Sequence, residues 1–123
     1  MNKYKQPEDK KPKTQFQAKF ISRTPAEISL PVFPEIGDKF NYSELCWLLD
    51  CNFVQEIPIH SEFILLVDKE GEAHGKMMND VTTFIASAAR SLVANEFIFG
   101  DAVLCHRQQL RLYDLSREVR VAL

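Results

Sequence analysis

Three cysteines, three histidines and seventeen carboxylates are the side chains in this 123-residue sequence best suited to chemistry, and their spacing limits what that chemistry can be. A nucleophilic site needs Ser or Cys beside His and a carboxylate, or a thiol at a helix N-terminus. Asp101, Cys105 and His106 are close in sequence, but alternation along a strand sends Asp101 and Cys105 to one face and His106 to the other. A metal centre needs three or four converging ligands. Cys46 and Cys51 are five residues apart, on well-separated faces if both are helical, and Cys105-His106 are adjacent on a strand. Neither spacing makes a zinc site, and an odd set of scattered cysteines predicts reduced thiols rather than a disulfide framework. No metal or cofactor is expected. Asp68, Glu70 and Glu72 look like the opening of a calcium loop, but the glycine comes fourth instead of sixth and Asn79 stands at the twelfth position. Their expected role is a solvated hairpin tip. Arg107, Arg111, Arg117 and Arg120 carry forks that suit phosphate, although a solvated face pairing with acidic neighbours accounts for them more simply.

These groups must be held by elements that the apolar pattern outlines. Phe16, Ala18 and Phe20 alternate with Gln17 and Lys19, the period of a half-buried strand. Pro25, Pro31 and Pro34 interrupt the apolar stretch Ile28 to Phe33, which predicts an edge strand because proline withholds a ladder donor. Asn41, with Glu44 three residues on, opens a capped helix whose stripe is Tyr42, Leu45, Leu48 and Leu49, ending near Asp50. Phe53 to Ile59 and Glu62 to Val67 read as strands, the second apolar on both faces and so covered on each side. Asp68 to Gly71 is turn chemistry, with Gly71 available for positive φ. Asn79 or Asp80 then caps a longer helix carrying Val81, Phe84, Ile85, Ala88 and Leu92 toward the core and ending at Asn95. Phe97 to Phe99 and Asp101 to His106 form a strand with Gly100 as a bulge. Leu112, Leu115 and Val119 suit a last amphipathic helix over 110–123.

Strands and helices in this order predict an α+β domain, residues 15–123, with a small mixed or antiparallel sheet packed against one main helix and short flanking helices. The expected core is Leu45, Leu48, Leu49, Ile57, Phe63, Leu65, Val67, Phe84, Ile85, Ala88, Leu92, Ile98, Val103 and Leu104. Residues 1–14, with five lysines and two prolines, are expected to form a disordered basic tail. Charge is uneven: +3 over residues 1–14, −7 over 15–106 and +2 over 107–123. An acidic body repels phosphate backbones, so nucleic-acid binding would have to come from the ends. No apolar run approaches the roughly 18 residues of a membrane span and no signal-peptide pattern opens the chain, so a cytoplasmic protein is expected.

Between Phe40 and Cys105 the pieces follow a recognisable order: the helix Tyr42 to Leu49; Val54 to Ile57 with Glu56; the strand and turn Leu65-Leu66-Val67-Asp68-Lys69-Glu70-Gly71; Asn79 before the helix from Val81; and Phe99-Gly100-Asp101-Ala102-Val103-Leu104. In that order and spacing the segment resembles an uncharacterised domain family encoded mainly by bacteriophages and conjugative plasmids. Cys51-Asn52 stands where the family has a glycine pair, and Met77-Met78 precedes the asparagine. The resemblance implies a non-enzymatic accessory protein, in some form a homo-oligomer. It would engage a host or phage protein, or sequester a small nucleotide-like ligand, through Asn79, Gly100 and Asp101. Two alternatives stand beside it: a small hydrolase or nuclease using Asp101, Glu56 and His106, and nucleic-acid binding through the basic N-terminal tail.

Overall fold

A computed structural model describes residues 17–23, 29–93 and 95–110. The expected N-terminal tail and the last helix fall outside these residues. Five antiparallel strands form one sheet: β1 (Lys19–Ile21), β2 (Ser29–Pro31), β3 (Val54–Pro58), β4 (Phe63–Asp68) and β5 (Ala102–His106), in the order β2-β1-β5-β4-β3. Proline-bearing β2 is an edge strand, exposed at each of its three residues, as its lost donors require. Among the described residues two α-helices complete the α+β fold: α1 (Tyr42–Leu49) and α2 (Asp80–Ala88). They are nearly equal in length, so neither is the main helix.

The alternation of β4 divides the core in two. Ile64 and Leu66 face one side with Val54, Val103, Cys105 and the α1 residues Leu45, Leu48 and Leu49. Leu65 and Val67 face the other with Ile21, Ile57, Ala102, Ile98 and Ala86 of α2. A strand paired on both edges and covered on both faces has to be apolar at every position, which explains the unbroken Ile64-Leu65-Leu66-Val67 run.

On the α1 side the expected packing is found, but on the α2 side it is not. Phe84 is 73% exposed and Ala88 lies at the surface, while the buried α2 residues are Thr82 and Ala86. Thr82 and Ala86 are the residues turned inward, and Val81, Phe84 and Ala88, at i, i+3 and i+7, are turned outward. Phe63, Ile85, Leu92 and Leu104 are half-buried at the margins.

α2 also stops earlier than its sequence period suggests. Arg90 takes a left-handed φ of 59°, its amide donates to Ser87 O at 2.9 Å, and the Ser91 amide donates to Ala86 O at 2.9 Å. This is a Schellman turn built without glycine. The Ser91 hydroxyl also donates to the Pro58 carbonyl of β3, so the chain leaves the helix to meet the sheet. Phe97 to Phe99 is likewise no strand: Phe99 makes one isolated bridge with Met78, and β5 starts only at Ala102.

Candidate functional site

Asn79 forms a joint between α2 and the sheet. Its side-chain oxygen accepts from the Thr82 amide at 3.0 Å, which is the expected helix cap. Its side-chain nitrogen donates to Gly100 O at 2.9 Å and Ile21 O at 3.1 Å, and its own amide donates to Ile98 O at 2.8 Å. The residue is 1% exposed, with both amide hydrogens and the oxygen engaged. Gly100 has φ +96°, its amide donates to Met77 O at 2.8 Å, and a Cβ there would lie 2.9 Å from the Lys76 side chain. Asp101 accepts from the Arg23 amide at 2.8 Å and from its guanidinium at 3.0 Å, tying the end of β1 to the start of β5. The three residues therefore do come together, and the polar groups they bring face one another or neighbouring backbone.

Asp101, Glu56 and His106 do not converge. Asp101 precedes β5 and His106 ends it, about 17 Å apart on an extended strand. Glu56 pairs with Arg107 at 2.6 Å. His106 accepts from the Gln108 amide at Nδ1, 3.0 Å, capping a short 3-10 turn (Arg107–Gln109), which leaves its proton on Nε2, 3.5 Å from Glu62. The Phe63 ring meets the imidazole edge-on at 5.2 Å.

Asp68 is the opposite of a solvated tip. It is 4% exposed and accepts from the Glu70 amide at 2.8 Å, from His74 Nδ1 at 3.0 Å and from the Lys76 ammonium at 2.8 Å. Burial by itself would raise its pKa, but the bonds from Lys76, the Glu70 amide and His74 prevail and hold the carboxyl below its ordinary value. Lys76 also donates to Leu49 O at 2.9 Å and Asp50 O at 2.6 Å, the bare carbonyl end of α1, where a cation is favoured. One buried ion pair thus fastens the turn after β4 to the end of α1. Gly71 serves the same turn, though by close approach rather than by positive φ: a Cβ there would stand 2.4 Å from Phe99 O, and the left-handed position is Gly75.

The end of α1 holds what the spacing of the cysteines concealed. Asp50 adopts φ 52°, ψ 58°, its amide donates to Trp47 O at 3.3 Å, and the Cys51 amide donates to Cys46 O at 3.0 Å. This second Schellman turn folds Cys51 back beside Cys46, whose thiol donates to Asn52 O at 3.6 Å. Separation on a continuous helix does not apply, because Cys51 is not helical. Both thiols line an open cleft of about 590 Å³ with Trp47, Asp50, Asn52 and His74. Tyr42, half-buried, accepts from the Val54 amide at 3.0 Å, while Trp47 is 68% exposed. The signal in the sequence was the stop of the Leu48-Leu49 stripe at Asp50, a residue type that tolerates the left-handed region.

Among the described residues, no three His, Cys, Asp or Glu side chains are placed to hold a metal ion, and no helix is long and apolar enough to cross a membrane. Comparison with known protein families, curated proteins and solved structures finds no match to this chain.

Proposed function

We propose that this chain is a cytoplasmic accessory binding protein, of the phage- or plasmid-encoded kind its sequence resembles, and that it engages a partner protein through the outer face of α2. The observation that carries this reading is the stripe Val81, Phe84 and Ala88, which faces away from the sheet and sets a 73%-exposed phenylalanine at its centre. Met77 and Met78, at the approach to the helix, are also exposed. A cluster of apolar groups that the fold does not use marks an interaction surface, and flexible methionines let such a surface adapt. A protein suits this face better than a small nucleotide-like ligand does, because the polar groups of Asn79, Gly100 and Asp101 already bond to Thr82, Gly100, Ile21, Met77 and Arg23. A hydrolytic reading is weakened by the separate engagements of Asp101, Glu56 and His106.

A photo-crosslinking residue at position 84 tests this in cells that make the protein, with the same residue at exposed Ser43 of α1 as control. The expected result is one specific adduct from position 84 and none from position 43. Equal labelling from both positions, or no adduct, would sink the proposal. Sedimentation of the purified chain separates a second copy from a foreign partner: a dimer dispersed by Phe84→Glu puts another copy on this face.

A further inference from the structure

The cysteine pair at the other helix carries a separate inference, independent of the α2 face. We propose that Cys46 and Cys51 form a dithiol site that reacts with low-molecular-weight disulfides of the glutathione type and closes to an intramolecular disulfide. Three observations support it. The Schellman turn, fixed by the Cys51 amide on Cys46 O and by Lys76 on the Leu49 and Asp50 carbonyls, sets the two cysteines side by side before any reaction. Both cysteines are partly accessible and border the same cleft, whose volume suits a small molecule, whereas Cys105 is fully buried. None of the three is disulfide-bonded in this structure.

The order of attack follows from the surroundings. The Cys51 thiol is pushed up to about 12 by burial, then by Cys46 and Asp68, against the lowering influence of Lys76. It keeps its proton, which leaves the first attack to Cys46, whose thiol donates to Asn52 O at 3.6 Å. The Cys46 thiolate attacks one sulfur of the small disulfide. That S–S bond breaks, and the departing thiolate takes a proton. The Cys51 sulfur then loses its proton and attacks Cys46 Sγ in the mixed disulfide, releasing the second small thiol. Two cysteine thiols are oxidised by two electrons in all, one external disulfide is reduced to two thiols, and the two cysteine protons leave on them. Holding Cys51 against Cys46 offsets its poor ionisation, because the second step is intramolecular. A site that disfavours thiolates also favours the closed form, since a disulfide oxidises strongly when its reduced thiolate is stabilised.

The test treats the reduced full-length chain with oxidised glutathione, followed by denaturing alkylation and peptide mapping. The expected product has lost two hydrogens, is linked Cys46 to Cys51, and has Cys105 alkylated only after denaturation. Trp47, the single tryptophan and the neighbour of Cys46, should lose fluorescence on closure and regain it with dithiothreitol. Cys51→Ser should stop at a glutathione adduct on Cys46. Phenylarsine oxide gives a measurement without any variant: it should bind one per chain, forming two As–S bonds with loss of one water, and block closure. A persistent glutathione adduct on the unaltered chain, a link through Cys105, or failure to take up the arsenical would overturn the proposal.

Discussion

α1 and α2 flank one sheet, have eight and nine residues, and both finish in Schellman turns that use a residue other than glycine. They bury different kinds of face. α1 presses Leu45, Leu48 and Leu49 into the core and leaves a polar, thiol-lined end at the surface. α2 rests on Thr82 and Ala86 and turns its phenylalanine outward. A helix that packs through large aliphatic side chains is anchored by apolar burial, whereas one that packs through small ones depends on its ends and on polar ties. The first contributes chiefly to stability, and the second keeps its bulkiest side chain available to another molecule.

The largest expected effects come from cutting the tie of α2 and from hollowing the core under α1. Asn79→Ala removes a helix cap, worth about 1 kcal/mol, and leaves the Gly100 and Ile21 carbonyls without its two donors, so a total near 3 kcal/mol is expected in urea unfolding. Asn79→Asp should not rescue this at neutral pH, because it keeps the cap but turns an oxygen toward two carbonyls. A loss below about 1 kcal/mol would mean that packing, not the cap, holds α2. On the α1 side, Leu49→Ala should cost about 2 to 4 kcal/mol, since Leu49 is 1% exposed within the aliphatic cluster.

Most of the sheet and all of α1 were legible, because period-two and period-three-to-four patterns are dictated by burial and α1 has its apolar stripe on the buried side. The same rule misplaced α2. Periodicity finds the apolar face of a helix but does not say what covers it, and here the sheet takes the small-residue face instead. Chain reversal was the other blind spot. Glycine announces a left-handed helix end, whereas Asp50 is a weaker sign of one and Arg90 is none, so neither the early end of α2 nor the meeting of Cys46 with Cys51 could be read from spacing alone. Asp68 looked like a turn residue because its partners, His74 and Lys76, lie six and eight residues on and are gathered only by the fold.

That buried carboxylate gives the comparison a dependence on pH. Its pKa is lowered in the folded chain, so its contribution is complete above the ordinary value of 3.8 and is lost as pH falls from there through the lowered folded value. Asp68→Asn should therefore reduce the drop in stability between about pH 5 and about pH 3 relative to the unaltered chain. Equal slopes would show that the Lys76 link does not fasten the end of α1.

A smaller effect, opposite in sign, lies under α2. Thr82 is fully buried and its hydroxyl has no hydrogen-bond partner among the described residues. Thr82→Val keeps the branched shape and removes the stranded group, so stability should rise by about 1 kcal/mol. A fall would mean that the hydroxyl is satisfied in solution.

The smallest effect on stability is expected where the proposed function is concentrated. Phe84→Ser removes a large aromatic ring that gains little from folding, because nearly three quarters of its surface stays in water. The change should stay within about 0.5 kcal/mol, as surface substitutions usually do. The same exchange at Leu49 should unfold a large fraction of the chain. If Phe84→Ser instead costs as much as a core deletion, the ring is covered in solution and α2 is a second packing layer. If stability is unchanged while Phe84→Ser abolishes the adduct formed by a photo-crosslinking residue at exposed Val81 on the same stripe, the two helices divide their work as argued, one holding the fold and the other presenting a face to its partner.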